Sequence, residues 1–102
     1  SLLLNIGVDM NKNNYNILTL HLLLGTYGGR VLIPLEEICY EIFGLSLNTA
    51  KRQAKKELLP VPCIKSGSSQ KSPLMVSIYD LANYMDNSRA IAYNEWKKAR
   101  TF

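Results

Sequence analysis

The sequence predicts a mainly α-helical domain with a small β-hairpin or sheet, arranged as a winged helix-turn-helix. Two amphipathic helical patterns are separated by three residues that include Gly44 and Ser46, which is typical of a helix-turn-helix. Two short apolar runs around a polar loop then predict a hairpin, and a hairpin in this position is a wing. A further helical pattern follows it.

Length and charge limit the kinds of protein this can be. The chain has 102 residues, which is enough for one compact domain, and 47% of them are hydrophobic. The net charge is +4, but residues 51–71 alone hold six basic residues against one acid, and the remainder is nearly neutral. A localised positive field favours an anionic polymer or an anionic membrane surface as the partner.

The first helix is predicted in "NNYNILTLHLLLGTYGG", residues 13–29. Asn residues that can cap a helix precede it, and Gly28 and Gly29 stop it. Its apolar residues surround nearly the whole helix, so we expect it to be buried or docked on a partner. His21 lies within it and is expected to pack rather than to bind a ligand. The run "RVLI" that follows predicts one short strand.

The second helix is predicted in "PLEEICYEIFG". Pro34 suits a first helical turn, and Glu36 and Glu37 stand where the helix dipole favours negative charge. The apolar residues recur at i, i+3, i+4, i+7 and i+8, and they are Leu35, Ile38, Cys39, Ile42 and Phe43. Gly44 ends the helix.

A basic helix is predicted from Leu47 to Leu58, with Ser46 as its cap. Its inner stripe is Leu47, Ala50, Ala54 and Leu58, and the small alanines allow close approach to the preceding helix. The opposite stripe contains Asn48, Arg52 and Lys55, with Lys51 at its flank and Thr49 and Lys56 beyond.

The hairpin is predicted after Pro60 and Pro62, which end the helical run. "VPCIK" and "LMVSI" are its strands, and "SGSSQKSP" is its loop, with Lys65 at the base and Lys71 within it. "YDLANYMD" is helical again, with Leu81, Tyr84 and Met85 on the buried face.

Three segments follow from these patterns. Residues 1–14 form an N-terminal extension or arm, in which Met10 is a candidate start. Residues 15–87 form the domain, and residues 88–102 form a helical tail that continues the last helix or restarts at Ser88. The tail, with Trp96, is expected to dock back on the core. A dimer contact by the tail or by the apolar first helix is the alternative.

Catalysis and cofactors are not expected. Cys39 and Cys63 lie in apolar patterns and are expected to be buried and reduced, which fits a cytoplasmic protein. One histidine cannot complete a zinc site, and no nucleophile stands beside a base. No cofactor or metal is therefore predicted. The sequence also has no transmembrane stretch, and no membrane partner is predicted.

Binding of double-stranded DNA is the function that the charge pattern favours. Asn48 and Arg52 can form paired hydrogen bonds with base edges, and the lysines would meet phosphates. The predicted contacts are Asn48, Thr49, Lys51, Arg52, Lys55 and Lys56 on the helix and Lys65, Gln70 and Lys71 on the wing. A solvated helix face is the simpler interpretation of the same charges. The pattern also fits an excisionase-like architectural protein that bends DNA, or an adaptor that meets an acidic protein.

A family resemblance points the same way. The order and spacing of "YGGRVLIPLEEIC", "FGLS", the basic helix, "LPVP", "SQKSP" and "DLANYMD" resemble the pyocin activator protein (PrtN) family of bacterial and phage-borne regulators. The resemblance covers about residues 18–88, and the layout is also similar to excisionase-like and MerR-like winged helices. It implies transcriptional activation of phage-like or bacteriocin genes by binding promoter DNA. A homodimer is a further partner to consider, because helix-turn-helix proteins often pair so that two recognition helices meet successive grooves, and RNA polymerase is another.

Overall fold

A computed structural model of the protein describes residues 15–69 and 71–100, which form four helices and three strands. The N-terminal extension expected at residues 1–14 lies outside these ranges. In chain order the elements are α1 (Ile17–Thr26), β1 (Leu32–Pro34), α2 (Leu35–Phe43), α3 (Leu47–Lys55), β2 (Ile64–Lys65), β3 (Leu74–Ser77) and α4 (Ile78–Ala99). The prediction of a mainly helical fold with a small sheet is confirmed.

Helix α1 is covered on one side only. The Asn16 side chain accepts a hydrogen bond from the backbone N–H of Leu18 and caps the helix, as the Asn-rich start predicts. Leu20 and Leu23 are buried, because this side of the helix packs against α4. Ile17, Leu18 and Leu22 are each more than 60% exposed, because no described element lies over the other side of α1.

His21 is exposed, so the expected packing role for it is wrong. It falls on the uncovered side of α1, beside Leu18 and Leu22, because residues three and four apart share a helix face.

The three strands form an antiparallel sheet in the order β1-β3-β2, so β3 is the central strand. Ile33 pairs with Val76 in one ladder, and Lys65 pairs with Leu74 in the other. Both outer strands are short. Pro34 is the last residue of β1 and precedes α2 rather than lying in its first turn, and the strand predicted in "VPCIK" is reduced to Ile64 and Lys65.

The core lies between the sheet and the inner faces of the helices. The largest side chains that are fully buried are Ile33, Leu35, Ile38, Val76, Ile78 and Leu81. The predicted inner face of α2 is confirmed, since its other members are Cys39, which is buried, and Ile42 and Phe43, which pack against the core. Cys63 is only half-buried, so its expected burial is wrong; it lies where the chain leaves the core towards β2.

Helix α4 follows β3 without a loop, with the Ser77 side chain capping it. Leu81 is fully buried, and Tyr84 and Met85 are half-buried against the core, so the predicted face is confirmed. The helix continues through Ser88 to Ala99 without restarting. The expected docking of the tail on the core is wrong, because every residue from 87 to 100 is exposed. The described part of the chain has no helix long and apolar enough to cross a membrane.

Candidate nucleic-acid interface

The turn between α2 and α3 is fixed by Gly44. Its φ of 68° lies in the left-handed region, which glycine adopts without steric cost, and its N–H donates to the carbonyl of Tyr40 over 2.9 Å. Leu45 donates its N–H to the carbonyl of Cys39. The two bonds end α2 and turn the chain sharply towards α3.

Ser46 begins α3. Its hydroxyl oxygen accepts a hydrogen bond from the N–H of Thr49 at 3.3 Å, and its hydroxyl group also bonds the Thr49 hydroxyl at 3.0 Å. The Thr49 side chain is therefore part of the cap and is half-buried, although it was predicted to contact DNA.

The underside of α3 is narrow because its central residue is alanine. Ala50 is fully buried, and Leu47 and Ala54 pack beside it against the core, so these members of the predicted inner stripe are confirmed. A small side chain at this position lets α3 lie close to α2.

The end of α3 differs from the prediction. The helix stops at Lys55, and Leu58 is 65% exposed rather than part of the inner stripe. Glu57 has a φ of 56°, and its N–H donates to the carbonyl of Ala54, so the backbone leaves the helix before Leu58. This left-handed residue gave no signal in the sequence, because glycine or asparagine is the usual choice there.

The outer face of α3 carries four exposed polar side chains in one row. Asn48, Lys51, Arg52 and Lys55 stand at i, i+3, i+4 and i+7, the spacing that places side chains on one helix face. Lys51 therefore lies within the predicted stripe rather than only at its flank.

A cleft of about 520 Å³ lies between this row and the wing, which is the hairpin of β2 and β3, and we call it the basic cleft. Its lining contains five cationic side chains and one carboxylate, Glu36 from the first turn of α2. The lining residues are Leu35, Glu36, Leu47, Asn48, Lys51, Arg52, Lys55, Lys65, Lys71, Ser72, Pro73 and Leu74. A concave surface with one dominant charge concentrates the potential, so the cleft attracts anions.

The wing closes the other side of the cleft. Beyond the pair formed by Lys65 and Leu74, the Ser66 N–H and hydroxyl both donate to the Pro73 carbonyl, at 3.3 and 3.2 Å. Further along, the N–H of Lys71 donates to the Ser69 hydroxyl oxygen at 3.1 Å. These bonds shape the loop and place Lys65 and Lys71 on the lining of the cleft.

The cleft brings together most, but not all, of the residues predicted to contact DNA. Six of them line it: Asn48, Lys51, Arg52, Lys55, Lys65 and Lys71. Thr49 and Lys56 are not in the lining, and Gln70 lies outside the described residues. Glu36 also lines the cleft, and no sequence pattern predicts this, because the proximity of the start of α2 to the wing is a tertiary property.

Two observations concern metal binding and reactive thiols in the described part of the chain. No group of three or more His, Cys, Asp or Glu side chains that could hold a metal ion occurs in residues 15–69 and 71–100. Burial raises the pKa of the Cys63 thiol, which disfavours the thiolate that a nucleophile requires. Cys63 is not in the lining of the basic cleft, which offers positively charged and polar side chains.

Comparison with known proteins gives one result. The sequence model of the family described as pyocin activator protein PrtN matches residues 19–92, which include the helix-turn-helix, the wing and much of α4. Neither the curated proteins nor the solved structures give a significant match to the chain.

Proposed function

The chain belongs to the pyocin activator protein PrtN family, and we propose that it activates transcription by binding a specific site in double-stranded DNA with its basic cleft. The family is one of regulatory activators and not of enzymes. Such a role requires a surface that selects a promoter, and the basic cleft has the charge and the side chains for this task.

Helix α3 is the element that would enter the major groove. That groove is about 12 Å wide and admits one α-helix. Arg52 would form paired hydrogen bonds with the O6 and N7 of guanine, and Asn48 with the N6 and N7 of adenine. Both side chains are on the exposed row of α3, so neither has to move away from the core to reach a base.

The lysines of the cleft would hold the DNA backbone. Lys51 and Lys55 flank the reading side chains on α3, and Lys65 and Lys71 face them from the wing. Contacts with phosphates fix the position of a protein on the duplex and make binding sensitive to salt, without carrying sequence information. Glu36 adds a carboxylate to the lining that would repel phosphate, which limits where the DNA backbone can lie.

One observation carries the proposal: cations from two separate elements, α3 and the wing, line a single cleft. A solvated charged helix accounts for the row on α3 alone. It gives no reason for Lys65 and Lys71 to face the same space from the other side.

The test is selection of bound duplexes from a random pool, followed by competition with unselected duplex DNA. We expect a defined consensus sequence, and an Arg52→Ala, Asn48→Ala variant should lose it. A Tyr40→Ala variant is the matched control, since Tyr40 is 80% exposed and is not in the cleft lining.

Two outcomes of this test would contradict the proposal, and each would support a different function. If no DNA sequence is enriched, and if unselected duplex DNA does not compete with binding of the chain to an acidic protein, the chain is an adaptor for such a protein. Strong bending of the selected site together with cooperative arrays along it would indicate an architectural protein.

A further inference from the structure

The C-terminal half of α4 extends beyond the core of the described chain. We call residues 87–100 the C-terminal arm; each of them is exposed, and the arm extends for roughly 20 Å at 1.5 Å per residue. Isolated helices of about 12 to 15 residues are marginal in water, and helices in proteins gain most of their stability from packing. The arm continues a helix that is already formed on the core, and a surface that covered it would stabilise it further.

One face of the arm continues the buried stripe of α4. Ile78 and Met85 belong to the core side, and Ala92 and Ala99 follow at intervals of seven residues, which keeps them on that side. Trp96 lies beside them, 53% exposed, with its ring 5.8 Å from that of Tyr93 and 4.8 Å from the guanidinium carbon of Arg100. The stripe thus continues after the core of this chain has ended, with Arg89 between Met85 and Ala92 as its one charged member before Trp96.

We propose that the C-terminal arm pairs with the same arm of a second copy of this chain, with the two helices antiparallel. The pair has a two-fold axis near Asn94, so that Trp96 of each arm packs against Ala92 of the other. A large side chain then fills the space left by a small one, which is the complementarity that close packing requires.

Charge decides the direction of the arms. Lys97, Lys98 and Arg100 are grouped at the tip of the arm beside Glu95, whereas Arg89 lies at its base next to Asp86, so that the base carries no net charge. Parallel arms would bring the two cationic tips together. Antiparallel arms separate the tips and place each one beside the neutral base of the other arm, and the helix dipoles are then also opposed.

The apolar surface of the arm sets the strength of such a pair. Tyr93 and Trp96 are each about half exposed, and together they offer on the order of 200 Å² of apolar surface in each copy. A standard interface takes about 800 Å² from each partner, of which a little more than half is apolar, so we expect a weak dimer.

The decisive experiment measures the mass of the full chain in solution without DNA, across a concentration series, by analytical ultracentrifugation. We expect a dimer that dissociates on dilution. Because Trp96 is the one tryptophan of the sequence, its fluorescence should shift to the red as the dimer dissociates. A Trp96→Glu variant should be monomeric, whereas Tyr40→Glu, which places the same charge on an exposed aromatic elsewhere, should remain a dimer.

Cross-linking tests the direction of the arms. In the antiparallel pair, position 89 of one copy is opposite position 99 of the other. An Arg89→Cys variant and an Ala99→Cys variant, both also carrying Cys63→Ser, should form a disulfide when mixed and not when kept apart. A protein that is monomeric at every concentration, a dimer that survives Trp96→Glu, or cross-links within the unmixed samples would overturn the proposal. Since no DNA is present, none of these results depends on the proposed function.

Discussion

The hydroxyl of Thr19 on α1 donates a 2.8 Å hydrogen bond to the carboxylate of Asp86 on α4. The same carboxylate accepts from the backbone N–H of Asn16, next to the start of α1. One aspartate thus joins the two helices at the point where α4 leaves the core.

Replacing Asp86 by alanine should therefore destabilise the protein. The change removes two hydrogen bonds and a negative charge from the N-terminus of α1, and we expect the free energy of unfolding to fall by about 1–2 kcal/mol. Urea unfolding at a fixed protein concentration measures it. Asp86→Asn keeps one of the two acceptor oxygens and should cost less; equal losses for the two variants would mean that the negative charge, and not the retained hydrogen bond, stabilises the protein.

Two glycines should respond to alanine in opposite directions. A methyl group at Gly44 or at Gly25 would meet nothing within 4 Å, so only the backbone conformation differs. Gly44→Ala should destabilise by about 1 kcal/mol, because φ is 68° there. Gly25→Ala, within α1, should stabilise by about 0.5 kcal/mol because alanine favours the helix. Thermal unfolding of both variants would show whether the signs are opposite.

Arg52→Ala should weaken binding to the selected DNA site by roughly 1–3 kcal/mol and relax the preference for one base pair. The reason is the loss of a paired hydrogen bond to guanine. Titration of the variant against the consensus and against its single-base changes measures both effects. An unchanged base preference would assign Arg52 to the phosphate backbone instead.

Lys65→Ala should weaken binding to the selected site and to random DNA about equally. If Lys65 neutralises one phosphate, the slope of log K against log salt should become shallower by about 0.9. Affinity measured over a series of salt concentrations gives this slope. Lys98→Ala is the control, because Lys98 is exposed and outside the cleft lining, and it should leave the slope unchanged.

The ion pair between Arg30 and Glu37 should make stability depend on pH. Two hydrogen bonds from the guanidinium, of 2.9 and 3.1 Å, lower the pKa of the Glu37 carboxyl below its ordinary value. Its stabilisation is then present above the pKa of the unfolded chain and is lost as the pH falls through the folded pKa. Urea midpoints of the wild type and of Glu37→Gln should differ at neutral pH and converge in acid. A constant difference at all pH values would contradict this.

Local patterns predicted the helix-turn-helix well. The i, i+3, i+4 spacing from Leu35 to Phe43 gives the buried face of α2, and Ser46 gives the start of α3, because both depend on residues close in sequence. The row of side chains on α3 follows from the same periodicity.

The incorrect predictions concern features of the structure that depend on tertiary contacts. The length of α3 depends on Glu57, whose left-handed backbone has no sequence signature. The exposure of α1 and of the arm depends on which elements reach them, and an apolar helix pattern alone does not distinguish a core from an intermolecular surface. The position of Glu36 in the cleft required the fold of the wing over α2.

Ser77 is the last residue of β3, and Ile78 is the first residue of α4. Because no loop separates them, the orientation of the hairpin fixes the orientation of the whole helix, including the C-terminal arm. With 3.6 residues in each helical turn, one amino acid inserted at that junction would rotate everything after it by about 100°. Insertions there should consequently be far more disruptive than insertions at the tip of the hairpin.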